Sequence, residues 1–152
     1  MPEVTATLSE FAATLTEAAL PADVKDRARA LVLDQFGICL RARNDAAISA
    51  SMCAAIEALG LGAGDSTVIG DGEGYAAPAA ALFNGSLGHC LDFDDTHARG
   101  SIHPSAPILP AALAAAEMTG ANGRDLLAAL VAGYEVQIRL SLALGPSQHY
   151  QR

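Results

Sequence analysis

Apolar positions along this chain recur mostly at the three- and four-residue spacing of a helix face, not in the alternation of a strand. Thr7-Leu8-Ser9-Glu10 has the pattern of a capping box. Leu8, Phe11, Leu15 and Ala19 then continue the stripe, predicting a first helix over about 8–20 that ends before Pro21. Val24, Ala28, Leu31, Val32 and Phe36 make the apolar face of a second helix, which opens at Pro21 or Asp23 and stops near Arg43-Asn44. Lys25, Asp26, Arg27 and Arg29 fall mainly on its wet side. Asp45 reads as the cap of a third helix through Ile48, Met52, Ala55, Ile56 and Leu59, closed by Gly60.

The pattern then breaks. From Gly60 to Gly74 six glycines surround one β-branched run, so Thr67-Val68-Ile69 predicts a short extended piece inside a flexible connection. A phosphate loop does not fit, because the glycines precede the strand-like residues and the Lys-Ser/Thr pair is missing. A fourth helix is predicted from Ala77-Pro78 to about Leu91. Ala77, Ala81, Gly85 and Gly88 place small residues along nearly one of its faces, where another backbone can approach. Pro107 and Pro110 mark the start of a fifth helix through Leu113, Ala116 and Met118, closed by Gly120. Asn122 with Asp125 caps a sixth, where Leu126, Leu127, Leu130, Val131, Tyr134, Ile138 and Leu142 recur up to Gly145-Pro146. The expectation is one all-α domain of about six helices, with no internal repeat and no dividing linker.

Composition sharpens this picture. The 152 residues include 33 Ala and no Trp, so the core is built from small side chains that suit closely packed helices. A net charge of −8 gives no electrostatic footprint for a nucleic-acid backbone, which excludes that partner class. Cys39, Cys53 and Cys90 are odd in number and form no C-x-x-C pair, as expected of reduced core thiols in a cytoplasmic protein. Met1-Pro2-Glu3-Val4 has no leader character, and no uninterrupted run approaches the roughly 18 apolar residues of a membrane span. A soluble protein with neither membrane nor nucleic-acid partners is expected.

The chemistry concentrates between His89 and His103, where Asp92, Asp94, Asp95, His89, His97 and His103 bring three carboxylates and three imidazoles into fifteen residues. If the fourth helix persists through this stretch, Asp92 and Thr96 share a face, His89 and Asp95 adjoin it, and Asp94 points elsewhere. His103 precedes Pro104 and so favours an extended backbone, from which its ring can turn back toward Asp92. A carboxylate beside an imidazole is raw material for proton transfer near neutral pH. Two other readings stand beside it. One is a solvated acidic turn; the other is a metal site, since His and Asp ligate zinc, manganese or iron, although neither H-E-x-x-H nor an EF-hand pattern is present. His149 is either a loop residue or a further site member.

Two family resemblances follow from this text. Asp92-Phe93-Asp94-Asp95-Thr96 is similar to the D-x-D-D-T motif of class II terpene cyclases, which hold carbocations against aromatic walls. A chain with no Trp, three Tyr and four Phe is poorly equipped for that task. The longer resemblance rests on Ser66-Thr67-Val68-Ile69-Gly70, Ala79-Ala80-Ala81-Leu82-Phe83-Asn84-Gly85, His89 through His97, His103-Pro104-Ser105 and Gly133-Tyr134-Glu135-Val136, in order. These segments resemble the N-terminal part of the MmgE/PrpD family of 2-methylcitrate dehydratase-like proteins.

That resemblance implies a mostly helical domain that works with a smaller lid domain, usually in a homodimer. It further implies chemistry on small polycarboxylic acids without metal or organic cofactor: dehydration of 2-methylcitrate, decarboxylation of cis-aconitate or epimerisation of iminodisuccinate. By the same resemblance Asp92, Thr96 and His103 are catalytic, and Asp95 and His97 belong to the substrate site. His103 and Asp92 are then the proton-transfer pair, with Thr96 on a substrate oxygen and Asp95 orienting a histidine. Family members extend further and carry cationic groups beyond this region, so the chain is expected to be an N-terminal piece that is inactive alone. The alternative is a non-catalytic helical module that binds a partner through its exposed apolar faces.

Overall fold

The computed structural model describes residues 3–45 and 47–145. His149 lies outside them. Among the described residues six helices and one two-stranded ribbon follow one another: α1 (Val4–Thr14), a single 3-10 turn (Glu17–Ala19), α2 (Ala22–Asp45), α3 (Ile48–Ala58), β1 (Ser66–Thr67), β2 (Gly74–Tyr75), α4 (Ala77–His89), α5 (Ser105–Thr119) and α6 (Gly123–Leu144). The all-α expectation holds. β1 and β2 pair antiparallel, Ser66 opposite Tyr75 and Thr67 opposite Gly74, so only Thr67 of the expected extended run lies in a strand.

Boundaries differ from expectation where local signals competed. α1 begins four residues early, with Glu3 as its cap and the Thr7 hydroxyl bonded to the Glu3 carbonyl, so Thr7-Leu8-Ser9-Glu10 lies inside the helix and does not cap it. α2 runs on through Asp45, and Ala47, not Asp45, precedes α3. Pro110 lies inside α5, which starts at Ser105 after Pro104. Gly120 closes α5 in the left-handed conformation, and Asn122 and Asp125 form the expected capping box of α6. Among the described residues α6 alone has the length and apolarity to cross a membrane, which a count of uninterrupted apolar residues does not show. Here it packs on α5 and α1 and buries Leu127, Ala128, Leu130 and Ala132.

α4 is the central element. It packs most extensively on α5 and also touches α2 and α3. Its buried face is Ala79, Ala80, Phe83, Asn84, Leu87 and Gly88. Of the small residues expected to admit a neighbour, Gly85 and Gly88 do so. A Cβ on Gly85 would stand 3.2 Å from the Ala106 carbonyl of α5, and the space over Gly88 is filled by the amide nitrogen of Gln35 from α2. Phe83 and Leu87 join Cys39, Ala42, Ile56, Val68, Ile69 and Tyr75 in one core. Of the three free cysteines only Cys39 is buried; Cys90 is exposed at the end of α4, against the expectation of core thiols.

Two polar clasps tie the glycine-rich connection to this core. The Asn84 side chain, 1% exposed, accepts from the Ile69 amide and donates to the Thr67 carbonyl, both at 2.8 Å. The Asp71 carboxylate receives Arg43 at 2.8 Å and the Tyr75 hydroxyl at 2.7 Å, while the Arg43 guanidinium lies 5.6 Å from the centre of the Phe83 ring. Burial pushes the Asp71 carboxyl up, but the hydrogen bonds from Arg43 and Tyr75 and the Arg43 charge outweigh it and hold the group below its ordinary range.

Asn84→Ala strands two backbone groups at the core edge and is expected to cost about 2–3 kcal/mol, read as a shift of the urea midpoint. A carboxyl held low stabilises the fold above its unfolded range, and that contribution disappears as pH falls through the folded value. Urea midpoints of wild type and Asp71→Asn are therefore expected to differ at neutral pH and to converge below about pH 4. A gap that stayed constant with pH would contradict this.

Candidate active site

The site forms because α4 ends abruptly. After His89, Asp92 takes the left-handed conformation with φ +58°, a region that Asp tolerates better than most residues. Its amide donates to the His89 carbonyl at 3.0 Å, and the chain doubles back under the helix. Helical geometry therefore does not continue, and Asp92 and Thr96 do not share a helix face. Asp94, expected to point elsewhere, turns inward and becomes the centre of the cluster.

The Asp94 side chain is 0% exposed. Its oxygens lie 3.0 and 3.2 Å from His89 Nδ1. His103 Nδ1 is 3.6 Å from Asp94 Oδ1, close enough for electrostatic pairing but too long for a hydrogen bond, and the nitrogen is buried without another partner. The two rings stand 5.1 Å apart, centre to centre. His89 keeps 55% and His103 33% of the side chain exposed, so both rings remain accessible.

Both rings line a cavity of about 760 Å³ between α4 and α5, walled by Ala81, Leu82, Gly85, Ile102, Ala106 and Pro107, with Gln137 of α6 at one side. Among the described residues no Lys or Arg lines it. His103 and Asp92 are thus neighbours in one cluster, as expected, but the carboxylate closest to His103 belongs to Asp94. Oxygen or nitrogen atoms of His89, Asp92, Asp94 and His103 all fall within 4.8 Å of one another, which makes these four the described residues able to hold a metal ion. Thr96 is exposed and is not among these four.

The remaining expected residues anchor the loop. Asp95 Oδ1 accepts from the Ser105 amide at 2.9 Å, supplying the acceptor that Pro104 lacks at the start of α5. The Ser105 hydroxyl bonds the Tyr134 hydroxyl of α6, and burial pushes that phenol up to about 12. His97 receives the Gly100 amide on Nδ1 at 3.1 Å, while its own amide donates to the Ile102 carbonyl at 2.9 Å. Ser141 of α6 closes the turn by donating to the Gly100 carbonyl at 2.5 Å. Asp95 and His97 thus hold the turn that delivers His103. His89 and Asp94 were missed as principal members because their closeness depends on the reversal at Asp92, whose positive φ has no apolar period to betray it.

Fold and site together define an all-helical domain with an acid–base cluster at the mouth of a cavity. The chain belongs to the MmgE/PrpD family: residues 6–151 match the MmgE/PrpD N-terminal domain. Over 148 residues it is 34% identical to the cis-aconitate decarboxylase-like protein oryM of Aspergillus oryzae, covering 93% of this chain and 30% of that protein. Over 150 residues it is 29% identical to a cis-aconitate decarboxylase of Aspergillus terreus, covering 93% of this chain and 29% of that protein. The chain thus spans about three-tenths of the length of these relatives. No solved structure matches it.

Asp95→Ala removes the acceptor at the start of α5 and is expected to cost about 1 kcal/mol, seen as a lowered thermal midpoint with helical circular dichroism retained. An unchanged midpoint would show that the Ser105 amide finds another partner.

Proposed function

We propose that this domain supplies the proton-transfer half of a cofactor-independent lyase for small polycarboxylic acids, with cis-aconitate as the first substrate to test and 2-methylcitrate as the second. The observation that carries this reading is the convergence of His89 and His103 on one buried carboxylate at a cavity, in a chain of this family. The names of the relatives favour decarboxylation over dehydration.

In a decarboxylation the carbon–carbon bond to one carboxylate breaks, carbon dioxide leaves, and the electron pair is delocalised into the remaining unsaturated acid. A proton delivered to carbon completes the product. An imidazole exchanges protons near neutral pH, and His103, with its ring at the cavity, is assigned that delivery. Asp94 fixes the facing ring of His89, and Asp92 belongs to the same cluster. A dehydration would use the same pair differently, removing a proton next to a carboxylate and protonating the departing hydroxyl. Either substrate brings negative charge to a cavity lined by no Lys or Arg among the described residues, so the complete enzyme is proposed to add cationic groups from outside this domain.

A second reading has support of its own. Leu82, Met118, Leu140 and Leu144 are exposed apolar side chains, which suits a non-catalytic helical module seated against a partner.

Assay of the complete protein with cis-aconitate, 2-methylcitrate and citrate separates these readings, carbon dioxide release marking decarboxylation. His103→Gln is expected to lower turnover roughly 10²–10⁴-fold with folding retained. Near wild-type turnover in both His103→Gln and Asp92→Asn would remove the cluster from the mechanism, and no turnover on any polycarboxylate would favour the module.

A further inference from the structure

The cluster at the cavity mouth has a property that the proposed reaction does not use. Nitrogen and oxygen ligands held about 2.0–2.2 Å from one zinc ion at tetrahedral angles stand roughly 3.3–3.5 Å apart. The separations between the two imidazole Nδ1 atoms and the Asp94 oxygens are 3.0, 3.2 and 3.6 Å, which bracket that edge. An Asp92 oxygen falls within the same 4.8 Å group, brought there by the left-handed backbone at that residue. Drawing the four donors, all within 4.8 Å of one another, inward onto one ion would turn the cluster into a coordination shell.

Two independent observations point to a cation as the missing partner. His103 Nδ1 is buried and makes no hydrogen bond, and an unpaired buried nitrogen costs stability unless something binds it. Two carboxylates, Asp92 and Asp94, also belong to the cluster, and among the described residues no Lys or Arg lines the cavity to offset them. Two imidazoles with carboxylates suit zinc and its neighbours, whereas magnesium and calcium take oxygen ligands.

We propose that His89, Asp94 and His103, with Asp92 as fourth donor, bind a zinc-class divalent cation at the mouth of this cavity. The inference goes beyond the proposed reaction and does not rest on it, because binding is read without turnover. The family resemblance implies a reaction that needs no metal, so an ion here is an occupant that ties up His103, not a cofactor.

The test is calorimetric titration of zinc into metal-stripped protein, for wild type, His89→Gln, Asp94→Asn and Cys90→Ser. One ion per chain at micromolar affinity is expected, weakened roughly tenfold or more in His89→Gln and Asp94→Asn. Retention in Cys90→Ser is expected, since that exposed thiol is the nearby competitor for zinc. The His89 ring is more than half exposed, so His89→Gln keeps the fold, which its circular dichroism will show. Unchanged affinity in His89→Gln, loss of binding in Cys90→Ser, or no binding in the wild type would each overturn the proposal. Cobalt(II) in place of zinc gives a second readout: tetrahedral visible absorption bands support the four-donor site, and a purely octahedral spectrum overturns it.

Discussion

The burial of one carboxylate governs the arrangement of the site. A carboxylate removed from water loses its hydration and must be met by donors, and Asp94, with no side-chain exposure, is met by the imidazole of His89 and approached by that of His103. That need dictates where the neighbouring elements stop and start. α4 must end at His89 so that the chain can return beneath it, and α5 must begin just after His103 so that the second ring arrives from the other side.

The loop between these helices is held from both flanks. Asp95 takes the first free amide of α5, Ser105 reaches Tyr134, and Ser141 reaches the Gly100 carbonyl, so α6 grips the turn at two points although it contributes no imidazole. Asn84, one helical turn before Gly88, holds the β1 connection against the opposite side of α4. The helix that ends in His89 is thereby fixed along its length, and the position of that ring follows from packing as much as from its own contact with Asp94.

Much of this was legible in the sequence. Helical periodicity located all six helices, and the Asn122–Asp125 cap and Gly120 gave the end of α5 and the start of α6 because those signals are local and chemical. The density of Asp and His between His89 and His103 pointed to the cluster, and His103 does turn back toward carboxylates there. The failures have two causes: Thr7-Leu8-Ser9-Glu10, Asp45 and Pro110 carry local preferences that compete with neighbouring helix signals, and the inward turn of Asp94 depends on a single residue with positive φ. A helical wheel extended past that residue misdirects the later side chains, pointing Asp94 away from the cluster and setting Asp92 and Thr96 on one face.

Pro110 has a consequence that reaches across to α4. A proline in the fourth position after Ala106 has no N–H to offer, so the Ala106 carbonyl lacks its ordinary partner within α5. That oxygen is the atom lying over Gly85, 3.2 Å from where a Cβ would be. The imino acid frees an acceptor, and the missing methyl at position 85 leaves the space over it open at the seam of the two helices. Positions 85 and 110 therefore bear on the same carbonyl at one interhelical crossing, the first by leaving it room and the second by leaving it without a backbone donor.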